Sequence, residues 1–366
     1  MTDETRSSFL VRRDDWSQTR FETTDLEALA PGQVRLRVDR FALTSNNISY
    51  AAAGDMLDYW GFFPAEEGWG RIPAMGFGDV IESSHPEVIP GERVFGFFPM
   101  ATHLVIEAQD VGPTQFVDGV AHRSRHALAY RQYGKTTADP SYEADREDQI
   151  LLFRGLFLTS FLVDAFLADH EGFGAETFVI GSASSKTAIA LAFLLSSQAR
   201  GRVVGVTSSR NQEFVAGLGL YDEVITYPNV KSLPNRVRTT FIDHSGDGEF
   251  VSALHHHLGD QLGHSCIVGA THWNAGPRPA NLPGPEPAFF FAPGEIKNRV
   301  EAWGPAGFQQ RLAEGWRRFC DSTDAWLEVV RGRGAADVER VYREVLEGRA
   351  KPSEGHVLSL WERDAR

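Results

Sequence analysis

The sequence predicts an α/β protein of two domains, a β-rich N-terminal domain followed by a doubly wound parallel sheet. Three observations carry that expectation. The chain has 366 residues, room for about two domains of roughly 150 residues each. Its first 120 residues alternate short apolar and polar runs between Gly and Pro turns. From Ile150 onward, brief apolar runs alternate with longer Ala- and Leu-rich ones, as strands and helices do when they take turns in a parallel sheet.

In chain order, Pro31-Gly32 is a turn signal ahead of Val34 to Val38, whose apolar–charged alternation suits a half-buried strand. Val80 to Glu82, Arg93 to Phe98 and His103 to Ile106 are further strands, punctuated by Gly76, Gly78, Pro90 and Gly91; the spacing suits a small antiparallel barrel or sandwich. Residues 108–149 read as an insertion. Its first half is basic (His122, Arg123, Arg125, His126, Arg131, Lys135) and its second acidic (Asp139, Glu143, Asp145, Glu147, Asp148). A solvated surface segment is the simpler reading, and a lid over a binding cleft the sharper one.

Leu156 to Ala168 is then a helix, Thr177 to Ile180 a buried strand, Lys186 to Ser196 a helix and Arg202 to Thr207 a strand. Asn211 to Leu218 and Glu249 to Leu258 read as helices, and Glu223 to Thr226, Phe241 to Asp243 and Cys266 to Val268 as strands. Asn274 to Gly294 holds six prolines and is expected to be irregular. Gly307 to Gly348 reads as charged helix on the outside of the sheet domain.

Composition sets limits. Hydrophobic residues are 42% and charged residues 23%, an ordinary globular balance, and a chain this long can bury a core without staples. The net charge of −13 excludes a basic footprint for nucleic acid or an anionic membrane, though not a local basic pocket for a phosphorylated cofactor. Cys266 and Cys320 are too few for a disulfide framework or a site of three or four thiolates; a reduced cytosolic pair is simpler than one bridge. Met1 to Arg13 has no signal-peptide core, and no run of about 18 apolar residues is present, so a soluble cytoplasmic protein is expected.

The chemistry concentrates where the strand TFVI gives way to Gly181-Ser182-Ala183-Ser184-Ser185-Lys186 and a helix. A strand, a turn of small residues and a helix aim backbone N–H groups at a phosphate, and a second strand about 20 residues on completes a nucleotide-binding unit. The turn lacks the full G-x-G-x-x-G, and it also lacks the spacing and second glycine of an ATP- or GTP-binding P-loop; a plain turn without ligand stays open. The second strand ends in Thr207-Ser208-Ser209-Arg210. An acid there would accept bonds from the ribose hydroxyls of NAD. Hydroxyls and a guanidinium instead suit a 2′-phosphate, with Lys186 as a further cation. A solvated, serine-capped turn is the alternative.

Five segments in this order, PGQVRLRVDRFALTSNNISY, IPAMGFGDVIES, PGERVFGF, TFVIGSASSKTAIALAFLL and VVGVTSSRNQEFVAGLGLYDEVITY, resemble the medium-chain dehydrogenase/reductase superfamily, specifically its zinc-free quinone oxidoreductase and enoyl reductase branch. The likeness runs from about Val34 to Gly269 and is nearest to a subgroup of uncharacterised proteins. It implies a GroES-like β-rich domain over 1–149, completed by 295–366, and a Rossmann-type domain over 150–294. It implies NADPH as cofactor and a homodimer. By position, Gly181, Ser182, Ala183, Ser184, Ser185 and Lys186 form the pyrophosphate turn. Thr207, Ser208 and Arg210 select the 2′-phosphate, and Tyr227 packs beside it. Val268 and Gly269 adjoin the nicotinamide, Phe290, Phe291 and Ala292 lie where a late loop closes over the cofactor, and Asn46, Asn47 and Tyr50 lie in a loop facing the nicotinamide.

The departures from the family are informative. The turn is polar rather than Ala/Gly-rich. Gly76-Phe77-Gly78 stands where the zinc-dependent branch has Gly-His-Glu, and no cysteine precedes Cys266, so no catalytic zinc is expected. His255, His256 and His257 point about 100° apart on a helix and cannot converge on one ion as an i, i+4 pair does. His272 and Trp273 either line the cleft at the carboxyl end of the sheet or fill the start of a loop. Tyr59, Trp60, Phe62, Phe63 and Trp69 are core or dimer surface on one reading and an apolar substrate wall on the other.

These features favour a metal-independent, NADPH-dependent reductase of an activated C=C or C=O bond in an enone, quinone or enoyl thioester. Tyr50 and the amide of Asn46 or Asn47 would stabilise the developing enolate. Two other classes stay open: a dinucleotide-binding sensor or scaffold without redox turnover, and a lyase or isomerase on the same scaffold.

Overall fold

The computed structural model describes residues 5–269 and 281–362. The chain divides into two units, Met1–Leu152 with Glu328–Arg366, and Phe153–Leu327.

The first unit is built on a closed antiparallel barrel. Strand Gln33–Leu43 pairs with Pro73–Ser83 on one side and His103–Gln109 on the other. The ring is completed through Arg93–Pro99, Gln132–Lys135 and Gln115–Asp118, and closure removes the free edges that an open sheet exposes. Val34, Leu36 and Val38 point into the core as the alternation predicts, but Arg35 is buried as well, paired with Glu82. Gly76 and Gly78 lie under the Phe98 ring; a Cβ on either would come within 2.9–3.0 Å of it, so the side-chain-free positions let the strand pass beneath the aromatic.

Two of the barrel strands, Gln115–Asp118 and Gln132–Lys135, come from the segment 108–149. The expectation of a solvated insertion is therefore corrected. The cause is a buried ion pair that composition does not reveal. Arg123 and Asp118 meet at 2.6 Å with side chains only 2% and 0% exposed. Arg123 also donates to the Phe62 carbonyl at 2.7 Å and to the Tyr133 hydroxyl at 3.2 Å, and its guanidinium lies 4.2 Å from the Phe63 ring centroid. The acidic half is used too, since Glu147 accepts from Arg93 at 2.6 and 2.8 Å.

The C-terminal part returns to this unit at Glu328, not at residue 295. Strands Glu328–Arg333 and Glu354–Ser359 run parallel, and the second pairs with Gln33–Leu43. Helix Gly334–Leu346 connects them, burying Val338, Val341 and Tyr342. The tail is thus not helical throughout. The β-branched pair Val329-Val330 makes a strand inside a run whose charges suggest helix.

The second unit holds a six-stranded parallel sheet. Across it lie Glu223–Thr226, Arg202–Thr207, Thr177–Gly181, Thr239–Asp243, Leu262–Ile267 and Ala288–Phe289. Numbered along the chain, that order is 3-2-1-4-5-6, which places the switch of direction between Thr177–Gly181 and Thr239–Asp243. Thr177–Gly181 is buried at every residue, as a parallel strand covered on both faces should be. The proline-rich stretch is not wholly irregular. Ala288–Phe289 forms the edge strand, and helix Ala292–Thr323 starts with a proline among its first two residues. Prolines are tolerated at strand ends and in a first helical turn, where no ladder or helical N–H is needed.

Residues Ala144–Asp169 contain an 18-residue window of mean hydropathy 1.9, apolar enough by composition to cross a membrane and contrary to the sequence expectation, but 67% of that window is buried. A helix apolar on all sides is what a protein interior requires as well.

Candidate functional site

The turn at residues 181–186 of the second unit is held mainly by its own backbone. The chain leaves strand Thr177–Gly181 through Ser182, whose φ of 54° is left-handed, a conformation uncommon outside glycine. Ser185 N donates to the Ser182 carbonyl at 2.8 Å, and Ala183 N to the Val206 carbonyl at 2.9 Å. Tyr221 Oη donates to the Ala183 carbonyl at 2.9 Å. Gly205 permits this approach, since a Cβ there would lie 3.0 Å from that of Ala183. Ser185 caps helix Lys186–Gln198, accepting from Ala188 N at 3.3 Å. The other N–H groups of the first turn have no acceptor within the helix, and no acidic residue stands in that turn. Ser184 Oγ accepts from Thr207 Oγ1 at 3.3 Å and Asn211 Nδ2 at 3.0 Å, which ties the turn to the end of the second strand. A hydroxyl that accepts twice keeps its own proton to donate.

Around this turn the other expected residues fall as follows. Thr207 is buried at 1% exposure and committed to Ser184, while Ser208 is half-buried and Arg210 exposed on the short turn Ser209–Asn211. Tyr227 packs edge-on against Phe250 at 4.9 Å. Its hydroxyl is bonded to Ser182, and burial pushes the phenol up to about 12. Val268 N and Gly269 N donate to the Asp243 carbonyl at 2.9 and 3.3 Å. Phe290 is buried and its N–H meets the Ile267 carbonyl at 2.8 Å; Phe291 is exposed at the head of the following helix. His272 and Trp273 lie outside the described residues. His255 is fully buried between Ser265 Oγ and the Pro283 carbonyl, each at 2.9 Å, a packing histidine.

Sequence reasoning took Asp243 as the end of a strand and passed over His244 and Ser245. They form a buried polar group at the switch point. Asp243 Oδ1 accepts from Ser245 N at 2.8 Å and Ser245 Oγ at 2.6 Å. Burial pushes the His244 imidazole down to about 4, so it is neutral, beside the Gly181 backbone. Burial, helped by the Asp243 charge, pushes the Cys266 thiol up to about 12. The available signal was the polar, glycine-containing run DHSGDG directly after a strand.

In the first unit Asn46, Asn47 and Tyr50 do not lie in a loop; they sit on helix Ser45–Ala52. Thr44 and Asn47 cap one another, a capping box that starts a helix where the polar run TSNN suggests a loop. Asn47 is buried and fully used: Oδ1 accepts from Thr44 N at 2.7 Å and Nδ2 donates to the Pro73 carbonyl at 2.9 Å. Asn46 is exposed and donates to Tyr50 Oη at 2.7 Å. Tyr50 stacks on Tyr59 with centroids 4.5 Å apart and meets Phe97 edge-on. Burial raises its phenol above the ordinary value.

Beside this pair opens a pocket of about 630 Å³, within the range of small-molecule sites. Tyr59, Phe62 and Tyr130 supply rings, and Asp58, Arg125 and His126 supply polar groups. Asp58 stands in left-handed backbone at φ 59°. Its Oδ2 accepts from Arg125 Nε at 2.6 Å and His126 Nε2 at 2.8 Å. The His126 ring stacks on Phe62 with centroids 3.8 Å apart. Trp60 and Phe63 are core, so the early aromatic cluster divides between core and pocket. No cluster of three or more His, Cys, Asp or Glu able to hold a metal occurs among the described residues.

No curated protein matches the chain by sequence. Solved structures do match by fold. CurA from Vibrio vulnificus, also solved in complex with NADPH, is similar at 13% identity and TM-score 0.59, over 98% of this chain and 100% of that one. A mutant form of enoyl thioester reductase from Candida tropicalis is similar at 12% identity and TM-score 0.53, over 97% and 99% of the two chains. The yhdH oxidoreductase from Salmonella enterica, in complex with NADP, is similar at 14% identity and TM-score 0.52, over 96% and 99%. These structures share the chain's fold, a β-rich barrel domain with a Rossmann-type parallel sheet, which is the fold implied by the resemblance to the medium-chain dehydrogenase/reductase superfamily. Residues 41–351 match the family described as a protein of unknown function, DUF2855, and the chain belongs to that family.

Proposed function

We propose that this protein is an NADPH-dependent, metal-independent oxidoreductase that reduces an activated C=C or C=O bond of a small molecule. The observation that carries the reading is the turn Ser182–Lys186 at the switch point of a 3-2-1-4-5-6 sheet. Its helix start has no acid, its Ser184 hydroxyl has a proton to give, and its N–H groups suit a diphosphate. Arg210, exposed just beyond the second strand, supplies the cation for a 2′-phosphate. The complexes of CurA with NADPH and of the yhdH oxidoreductase with NADP, on the same fold, agree with that choice.

The nicotinamide supplies hydride when bound. The protein's own residues hold and polarise the substrate. The aromatic walls of the first unit exclude water from an apolar substrate and so strengthen each hydrogen bond made to it. Tyr50, positioned by Asn46, donates its hydroxyl to the oxygen on which charge develops. Burial keeps that phenol protonated, as a donor must be. Asn47, engaged on both ends, positions the helix and takes no part in the chemistry.

The test is Tyr50→Phe. Removing one such donor costs about 100-fold or more in turnover, with NADPH affinity unchanged, read by NADPH absorbance on an enone, quinone and aldehyde panel. Unchanged turnover removes Tyr50 from the mechanism. Tight NADPH binding with no oxidation of any acceptor by the parent protein favours the sensor or scaffold reading.

A further inference from the structure

The pocket in the first unit carries information about its ligand that the nucleotide turn does not. Its walls are flat: Tyr59 and Tyr130 line it over the buried Phe62, and the exposed side chains of Met56 and Leu57, 80% and 57% accessible, extend the apolar surface at its edge. Its polar side is a single arranged group. Asp58 Oδ2 takes both Arg125 Nε and His126 Nε2, so the carboxylate charge is met from two directions. The Asp58 carboxylate lies over Gly61, where a Cβ would come within 2.5 Å of Oδ1, so only glycine leaves room for it there. Through Nε the aspartate fixes the plane of a guanidinium whose side chain is 67% exposed. Among the described residues Arg125 makes no other hydrogen bond, so Nη1 and Nη2 keep their donors at the pocket. A guanidinium gripped at Nε presents those two nitrogens as a fork that matches the two oxygens of a carboxylate.

We propose that this pocket binds a planar, conjugated organic anion, with its flat body against Tyr59 and Tyr130 and its carboxylate on the Nη1 and Nη2 fork of Arg125. Asp58 and His126 are positioning residues in this arrangement. Asp58 orients the fork, and His126, stacked on Phe62, steadies Asp58. The aromatic faces select flat ligands without choosing among them, and the fork selects the anion. The binding claim stands on the first unit alone; that such a ligand also accepts hydride rests on the reductase reading.

The test uses the full-length protein without nucleotide and two probes of the same shape, trans-cinnamate and trans-cinnamamide, by isothermal titration calorimetry. Cinnamate is expected to bind about tenfold or more tighter than the amide, the scale of one charge-assisted bidentate pair. In Arg125→Gln the two probes come within about threefold of one another, and Asp58→Asn lies between that variant and the parent. Arg125 is exposed, so Arg125→Gln should fold, and an unchanged thermal melt checks that it has. Equal binding of both probes, binding of neither, or a preference that survives Arg125→Gln overturns the proposal. Because no nucleotide is present, these results are independent of whether NADPH is ever oxidised.

Discussion

The turn after strand Thr177–Gly181 and the pocket around Tyr59 and Tyr130 make their shapes in different ways. The first is set by backbone: the left-handed Ser182, the Ser185–Ser182 bond and the absent Cβ of Gly205. The second is set by side chains far apart in sequence, with Asp58 held to Arg125 and His126 across 67 and 68 residues and Phe62 anchored by Arg123 from the same segment. Backbone shape tolerates most substitutions that leave the turn intact, so a turn of this kind can form in chains of different sequence. A shape made of side chains is private to a chain and changes with single replacements. The turn in the sheet unit is therefore the more tolerant of replacement, and the pocket in the barrel unit the more particular to this chain.

If that contrast is right, the barrel is the more fragile to one substitution. Asp118→Ala leaves the Arg123 guanidinium buried without its carboxylate. A stability loss of about 3–5 kcal/mol is expected in urea unfolding, with the pocket lost along with it. A loss below about 1 kcal/mol, the scale of a surface ion pair, would mean the pair is not holding the barrel.

His244 sharpens the comparison from the side of the sheet. Its folded value near 4 lies below the ordinary 6.5, so between those values the unfolded chain binds a proton that the folded one does not. Stability from this group is complete above pH 6.5 and lost as pH falls toward 4, on the order of 3 kcal/mol in all. His244→Gln should remove that part of the acid slope. Parallel pH profiles for the two proteins would show that the imidazole is not desolvated.

The smallest effect is expected at the turn itself. Ser185→Ala removes one cap bond, at a cost of about 1 kcal/mol in chemical denaturation. The backbone turn should persist, so NADPH affinity should fall only slightly. A collapse of NADPH binding would show that side chains, rather than backbone, form the site.

The same contrast explains what could be read from the chain. Arg202–Thr207 and Glu223–Thr226 were legible to the residue because short β-branched runs bounded by polar residues, set between helices, allow little else. The barrel was legible only in outline. Nothing in the spacing says which of the basic residues at 122–135 is desolvated, and only closure through Gln115–Asp118 and Gln132–Lys135 brings Arg123 to Asp118. Glu328–Arg333 was hidden by its charges. Asp58 and Tyr130 were missed because each acquires a role only when two loops meet. Asn46 and Tyr50 were placed in a loop, and their contact went unread because it arises only on a helix, where i and i+4 share a face.

The central claim, that the turn Ser182–Lys186 grips the diphosphate of a nicotinamide coenzyme and Arg210 its 2′-phosphate, is tested most directly by equilibrium titration with NADPH and NADH. The account predicts saturable binding with NADPH the tighter ligand, and a loss of about 1–3 kcal/mol for NADPH but little for NADH in Arg210→Ala. Failure of both coenzymes to associate at millimolar concentration would contradict it.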